Sequence, residues 1–125
     1  MNMTNTKLSM LAIAMSLGYA TSAMALTSAE HTAQNDRIEA DYKMNKDKCG
    51  SLSGNAKDIC ASEAKGTEKV AKAELEAQYK PSAKNTAKVN EAKADAAYDT
   101  AKEKCDDLAG NAKDVCVKDA KAAHT

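Results

Sequence analysis

The chain has 125 residues, 43% of them hydrophobic, and its 18 basic and 18 acidic residues cancel to a formal net charge of zero. Trp and Phe are absent and aromatic residues make up 3%, which excludes an aromatic-filled globular core. The charge balance gives no electrostatic footprint for nucleic acid or for an anionic membrane surface.

The first predicted element is a leader. Residues 1–7 are polar with one positive charge at Lys7, residues 8–20 form an apolar run, and Ala23 and Ala25 supply small side chains. That order is a secretory signal peptide over residues 1–25, with cleavage expected after Ala25. The apolar run is shorter than the roughly 20 residues that span a bilayer, so no stable membrane insertion is expected after cleavage. The expected location is the periplasm, where disulfides persist. Without the leader, 17 basic residues face 18 acidic ones, and residues 26–125 contain 21 Ala but only ten large aliphatic side chains. Such a composition favours helices and gives them little apolar area to bury.

Residues 26–80 read as a first helical hairpin. Thr27 and Glu30 have capping-box spacing. The stripe Ile38, Tyr42, Asn45, Cys49, Leu52 advances in steps of 4, 3, 4 and 3 along one face, as in a coiled coil. Gly54 fits the position just past a helix end, Asn55 the N-cap of the next helix, and Asp58 its first turn. The second helix is predicted to run to about Lys80 and stop at Pro81, with Gly66 as a soft spot. Residues 81–125 read as a second, truncated hairpin. Its third helix begins near Ser82 and carries the stripe Ala94, Tyr98, Ala101, Cys105, Leu108; Gly110, Asn111 and Asp114 repeat the turn, and the fourth helix is short. An ungapped offset of 56 residues relates 40–65 to 96–121 with 14 identities in 26. The fold class is therefore all-α, a duplicated antiparallel hairpin of about four helices.

Each copy holds two cysteines: Cys49 and Cys60, then Cys105 and Cys116. On one continuous helix such a pair would lie about 16 Å apart, beyond the roughly 7 Å reach of a disulfide. A hairpin folded at the glycine brings its two members face to face. Four cysteines allow three pairings, and local closure of each hairpin favours 49 with 60 and 105 with 116. Tyr42, Leu52, Tyr98 and Leu108 are expected to pack against the facing helix, and His31 and His124 to be solvated.

The catalytic inventory is thin. There is no Cys-x-x-Cys, no Ser/His/Asp arrangement, no phosphate loop and no zinc-ligand spacing. Enzyme activity, a cofactor and a metal site are accordingly not expected.

The order Tyr-x6-Cys-x2-Leu-x-Gly-Asn-Ala-Lys-Asp-x-Cys, at residues 42–60 and again at 98–116, resembles a group of small exported Ala/Lys-rich proteins of Gram-negative bacteria, some labelled TolA-like cell-envelope proteins. The resemblance covers nearly all of residues 26–125 and implies an envelope location and a helical build, with no activity attached. Residues 100–114 also look like the Ala/Lys/Glu helices of late-embryogenesis-abundant stress proteins. The expected role is contact with envelope proteins, self-association or stress protection; the alternative is a thiol-based redox-sensitive or metal-responsive binder.

Overall fold

A computed structural model describes residues 25–125; the expected leader, apart from Ala25, lies outside the described residues. These residues form four helices: α1 (Ser28–Cys49), α2 (Gly54–Tyr79), α3 (Ala83–Cys105) and α4 (Gly110–His124). No strand accompanies them among the described residues, and none of the helices is long and apolar enough to cross a membrane.

The helix starts follow local chemistry. At α1, the Thr27 hydroxyl accepts from the Glu30 amide at 3.2 Å while the Glu30 carboxylate accepts from the Thr27 amide at 2.8 Å. This reciprocal pair satisfies two amides that a helix start otherwise leaves free. The backbone bond from Thr27, and then its hydroxyl, hold the Glu30 carboxyl below its ordinary pKa. At α3 the Ser82 hydroxyl accepts from the Asn85 amide at 3.0 Å. Lys80, Pro81 and Ser82 separate α2 from α3, as Pro81 predicts.

The turns inside the hairpins depart from expectation. α1 stops at Cys49, not at Gly54, and winds down through bonds from the Gly50 amide to Asp47 O (3.1 Å) and from the Leu52 amide to Cys49 O (3.0 Å). Those tight bonds use residues 50–53 for the reversal. Gly54, with φ of +58°, therefore opens α2 instead of closing α1, and Gly110 opens α4 at +60° in the same way. Both glycines adopt the left-handed backbone that disfavours other residues. The N-cap positions fall to Ser53 and Ala109, and neither helix start has a side-chain cap. Asn55 and Asn111 are thus not N-caps, and Asp58 and Asp114 lie deeper in their helices than the first turn.

Packing follows chain order. α1 packs on α2, α2 on α3 and α3 on α4, and no other pair of described helices is in contact. The result is an open series rather than a closed four-helix bundle. The buried hydrophobic set is correspondingly small: Cys49, Ala64, Leu75, Ala92 and Cys105. The central interface of α2 on α3 is antiparallel and threaded by polar contacts. Asn55 donates to Glu103 O (2.9 Å), Ser62 and Thr100 share a hydrogen bond (3.2 Å), Lys69 meets Asp95 (2.5 Å) and Lys93 meets Glu74 (3.0 Å). Gly66 sits at the close crossing. A Cβ there would lie 2.9 Å from the Ala96 Cβ, so this glycine is a contact point and not the soft spot the sequence suggests.

Candidate functional site

Each pair of cysteines joins across its own turn. Cys49 bonds to Cys60 and Cys105 to Cys116, each with 5.6 Å between Cα atoms. The bond from Asn55 to Glu103 sets the start of α2 beside the end of α3, so both staples lie at one end of the molecule. The link through Pro81 lies at the other. Cys49 and Cys105 are 2% and 0% exposed. They fill the inner stripe that the heptad-like spacing marks, together with half-buried Ile38, Tyr42 and Asn45 in α1 and Ala94, Tyr98 and Ala101 in α3. Leu52 and Leu108 leave that stripe: they are exposed, because each helix ends at its cysteine and the leucine falls in the turn beyond.

Sequence reading missed the histidines. His31 Nε2 lies 2.6 Å from Glu76 Oε1, and its ring is 4.4 Å from that of Tyr79. His124 Nε2 lies 2.6 Å from Asp95 Oδ1, with its ring 5.0 Å from that of Tyr98. His31 is half-buried and His124 is exposed, yet each is clasped by a carboxylate-x-x-Tyr pair on the adjacent helix, so both make interhelical contacts that the expectation of solvated side chains leaves out. The signal was available as Glu76 with Tyr79 and Asp95 with Tyr98, three residues apart and so on one helix face. Asp95 joins Lys69 and His124 through its two carboxylate oxygens. Its hydrogen bond from Lys69, and then that from His124, hold it below the ordinary carboxylate range. In the first hairpin its equivalent, Glu39, is likewise lowered by Lys72 and then by Asn35.

A groove of about 630 Å³ is floored by Val70, Ala71, Ala96, Ala97 and Ala101 of α2 and α3. Thr67 and Ala71 also line the smaller cavity between α1 and α2, and Ala97 and Ala101 that between α3 and α4. The groove itself is lined by α2 and α3 alone, with no residue from α1 or α4. Its floor is apolar with small side chains, and Glu63 and Lys104 are among its charged residues. Of the hydroxyls that line it, Thr67 donates to Glu63 O (2.9 Å) and Thr100 shares a hydrogen bond with Ser62. Among the described residues there is no group of three or more His, Cys, Asp or Glu placed to hold a metal ion.

No protein-family profile, curated protein or solved structure matches this chain. Its function has to be read from its own surfaces.

Proposed function

We propose that this chain is a non-enzymatic, exported helical protein of the cell envelope that works by contact, receiving a helix of another envelope protein in the groove floored by α2 and α3. The observation that carries this reading is the open packing order. α1 and α4 touch only one neighbour each, which leaves an apolar, small-residue surface shared by α2 and α3 uncovered. Small side chains let a helix approach closely, and close approach is what ridges-into-grooves packing needs. Periplasmic location is supported by the leader pattern and by the two disulfides, which persist in oxidising compartments. Burial of Cys49 and Cys105 shields one sulfur of each staple from exchange, while Cys60 and Cys116 are half-buried.

A photo-crosslinking residue at Val70 or Ala97, in the floor, tests the reading in intact cells. Discrete adducts from these positions, absent when the same residue is placed at exposed Lys65, are expected. Adducts that are equal at all three positions, or missing at all three, overturn the contact reading. The same oxidised protein tests the stress-protection form of the role: protection of a client enzyme through drying that survives boiling of the protein supports it, and its loss removes it.

A further inference from the structure

The second concave surface of note lies beside the first staple, on the outside of the first hairpin and away from the groove. It is a cleft of about 480 Å³ lined by Lys43, Lys46, Asp47, Gly50, Lys57 and Ala61, with Cys49 between them. None of its three lysines has an ion-pair partner among the described residues; Lys46 lies 5.9 Å from the centroid of the Tyr42 ring. Helix stability accounts for Lys46, which sits in the last turn of α1 where the dipole favours a cation. It does not account for Lys57, which stands near the start of α2, where the dipole disfavours one.

The duplicated hairpin supplies the control. Lys57 corresponds to Lys113, which is paired with Asp106 at 3.2 Å. In the first hairpin the position of Asp106 is Gly50, and the position of Asp99 is Lys43. Residues 43–61 hold four lysines against two carboxylates, a charge of +2, whereas 99–117 hold three lysines against five carboxylates, a charge of −2. The backbone does not demand glycine, since Gly50 (φ −62°, ψ −23°) and Asp106 (φ −68°, ψ −16°) share one conformation. One copy of the turn thus neutralises its lysine while the other leaves three lysines lining an open cleft, with Glu39 acting on Lys43 only at longer range.

We infer that this cleft binds a phosphate-bearing anion. Lysine ammonium groups act on phosphate as point charges, and three of them against Asp47 leave a net positive lining that a phosphomonoester dianion would neutralise. The cleft also has room for the group the phosphate is attached to. Such a phosphate could belong to a small soluble ester or to a phospholipid headgroup at the membrane surface, and the overall charge balance of the chain hides this local site from composition.

The test uses the oxidised full-length protein, calorimetric titration with glycerol phosphate, and co-sedimentation with phosphatidylcholine vesicles made with and without phosphatidic acid. Saturable binding is expected in one arm: to glycerol phosphate if the natural source is soluble, or only to vesicles containing phosphatidic acid if it is a headgroup. The double substitution Lys43→Asp, Gly50→Asp imports the second hairpin's residues and is expected to weaken binding about tenfold or more. Lys57→Gln, which alters no backbone requirement, should weaken it in the same direction. Lys102→Ala, at the position equivalent to Lys46 in the second hairpin, should leave it unchanged. Absence of saturable binding in both arms, or equal weakening by Lys102→Ala, overturns the proposal.

Discussion

The two hairpins spell nearly the same turn and build nearly the same staple, yet they are held in place differently. Both disulfides span 5.6 Å between Cα atoms, and both glycines sit near φ of +60°. The first hairpin has a full-length second arm, 26 residues against 15 in α4. Its open end is closed by His31 on Glu76 and Tyr79, far from its staple. In the second hairpin the clasp of His124 on Asp95 and Tyr98 follows the staple by only eight residues in α4. Duplication therefore conserved what local chemistry dictates, and the copies diverged where a helix meets its neighbour.

The staples should produce the largest effect. Replacing both members of a pair by Ser removes closure of a short loop, a loss of about 3 kcal/mol on the chain-entropy account. Loss of the second staple should unfold α4 on its own, seen as reduced helicity by circular dichroism before the main melt. Loss of the first should lower the melting temperature with most helicity retained, because α1 keeps a longer interface. Identical melts for the two variants would abolish the distinction between the hairpins.

Next in size is the joint between them. Gly66→Val drives a side chain into Ala96 and should cost about 1–3 kcal/mol by overpacking, although glycine is normally a liability in mid-helix. Adding Ala96→Gly should restore part of that loss, and a double-mutant cycle by denaturant melts would show the coupling.

A smaller contrast separates the paired asparagines. Asn55→Ala deletes the bond to Glu103 O and should cost about 1 kcal/mol. Asn111→Ala removes an exposed side chain and should stay within about 0.5 kcal/mol.

Acid should have the mildest effect. Asp95, lowered first by Lys69 and then by His124, binds its proton more weakly folded than unfolded. Its contribution is complete above the unfolded carboxylate value and fades as pH falls through the lowered one. Glu39 behaves alike through Lys72. An acid titration followed by circular dichroism should therefore show a loss of stability beginning near pH 4. Asp95→Asn should flatten that limb for α4 while leaving the part carried by Glu39.

What the sequence shows and what it hides divide along the same line as the comparison. Thr27 with Glu30, Ser82, Pro81 and the two cysteine pairs act on residues close in the chain, so spacing alone places the helices and turns. Gly54 and Gly110 mark the turns by their spacing but open the following helices instead of closing the preceding ones, because those helices end in tight turns that consume four residues. Asn55 looks like a cap and instead reaches a carbonyl 48 residues away, and Gly66 looks weak and instead admits Ala96. Leu52 and Leu108 continue the stripe in spacing but not in space. In a chain whose inner faces are mostly alanine, sequence pattern says little about which faces meet: the spacing of Glu76 with Tyr79 and of Asp95 with Tyr98 marks one face of each clasp, but nothing local points from it to His31 or His124.

The packing order has a consequence for how such a molecule grows and folds. Because each helix touches only its sequence neighbours, the energetics form a one-dimensional series of couplings, as in repeat proteins, with stability the sum of units and of the joints between them. Contacts between sequence neighbours also keep contact order low, which favours rapid assembly. A further hairpin could be appended after α4 without disturbing any existing contact, provided its first helix presented a small residue where Ala96 meets Gly66.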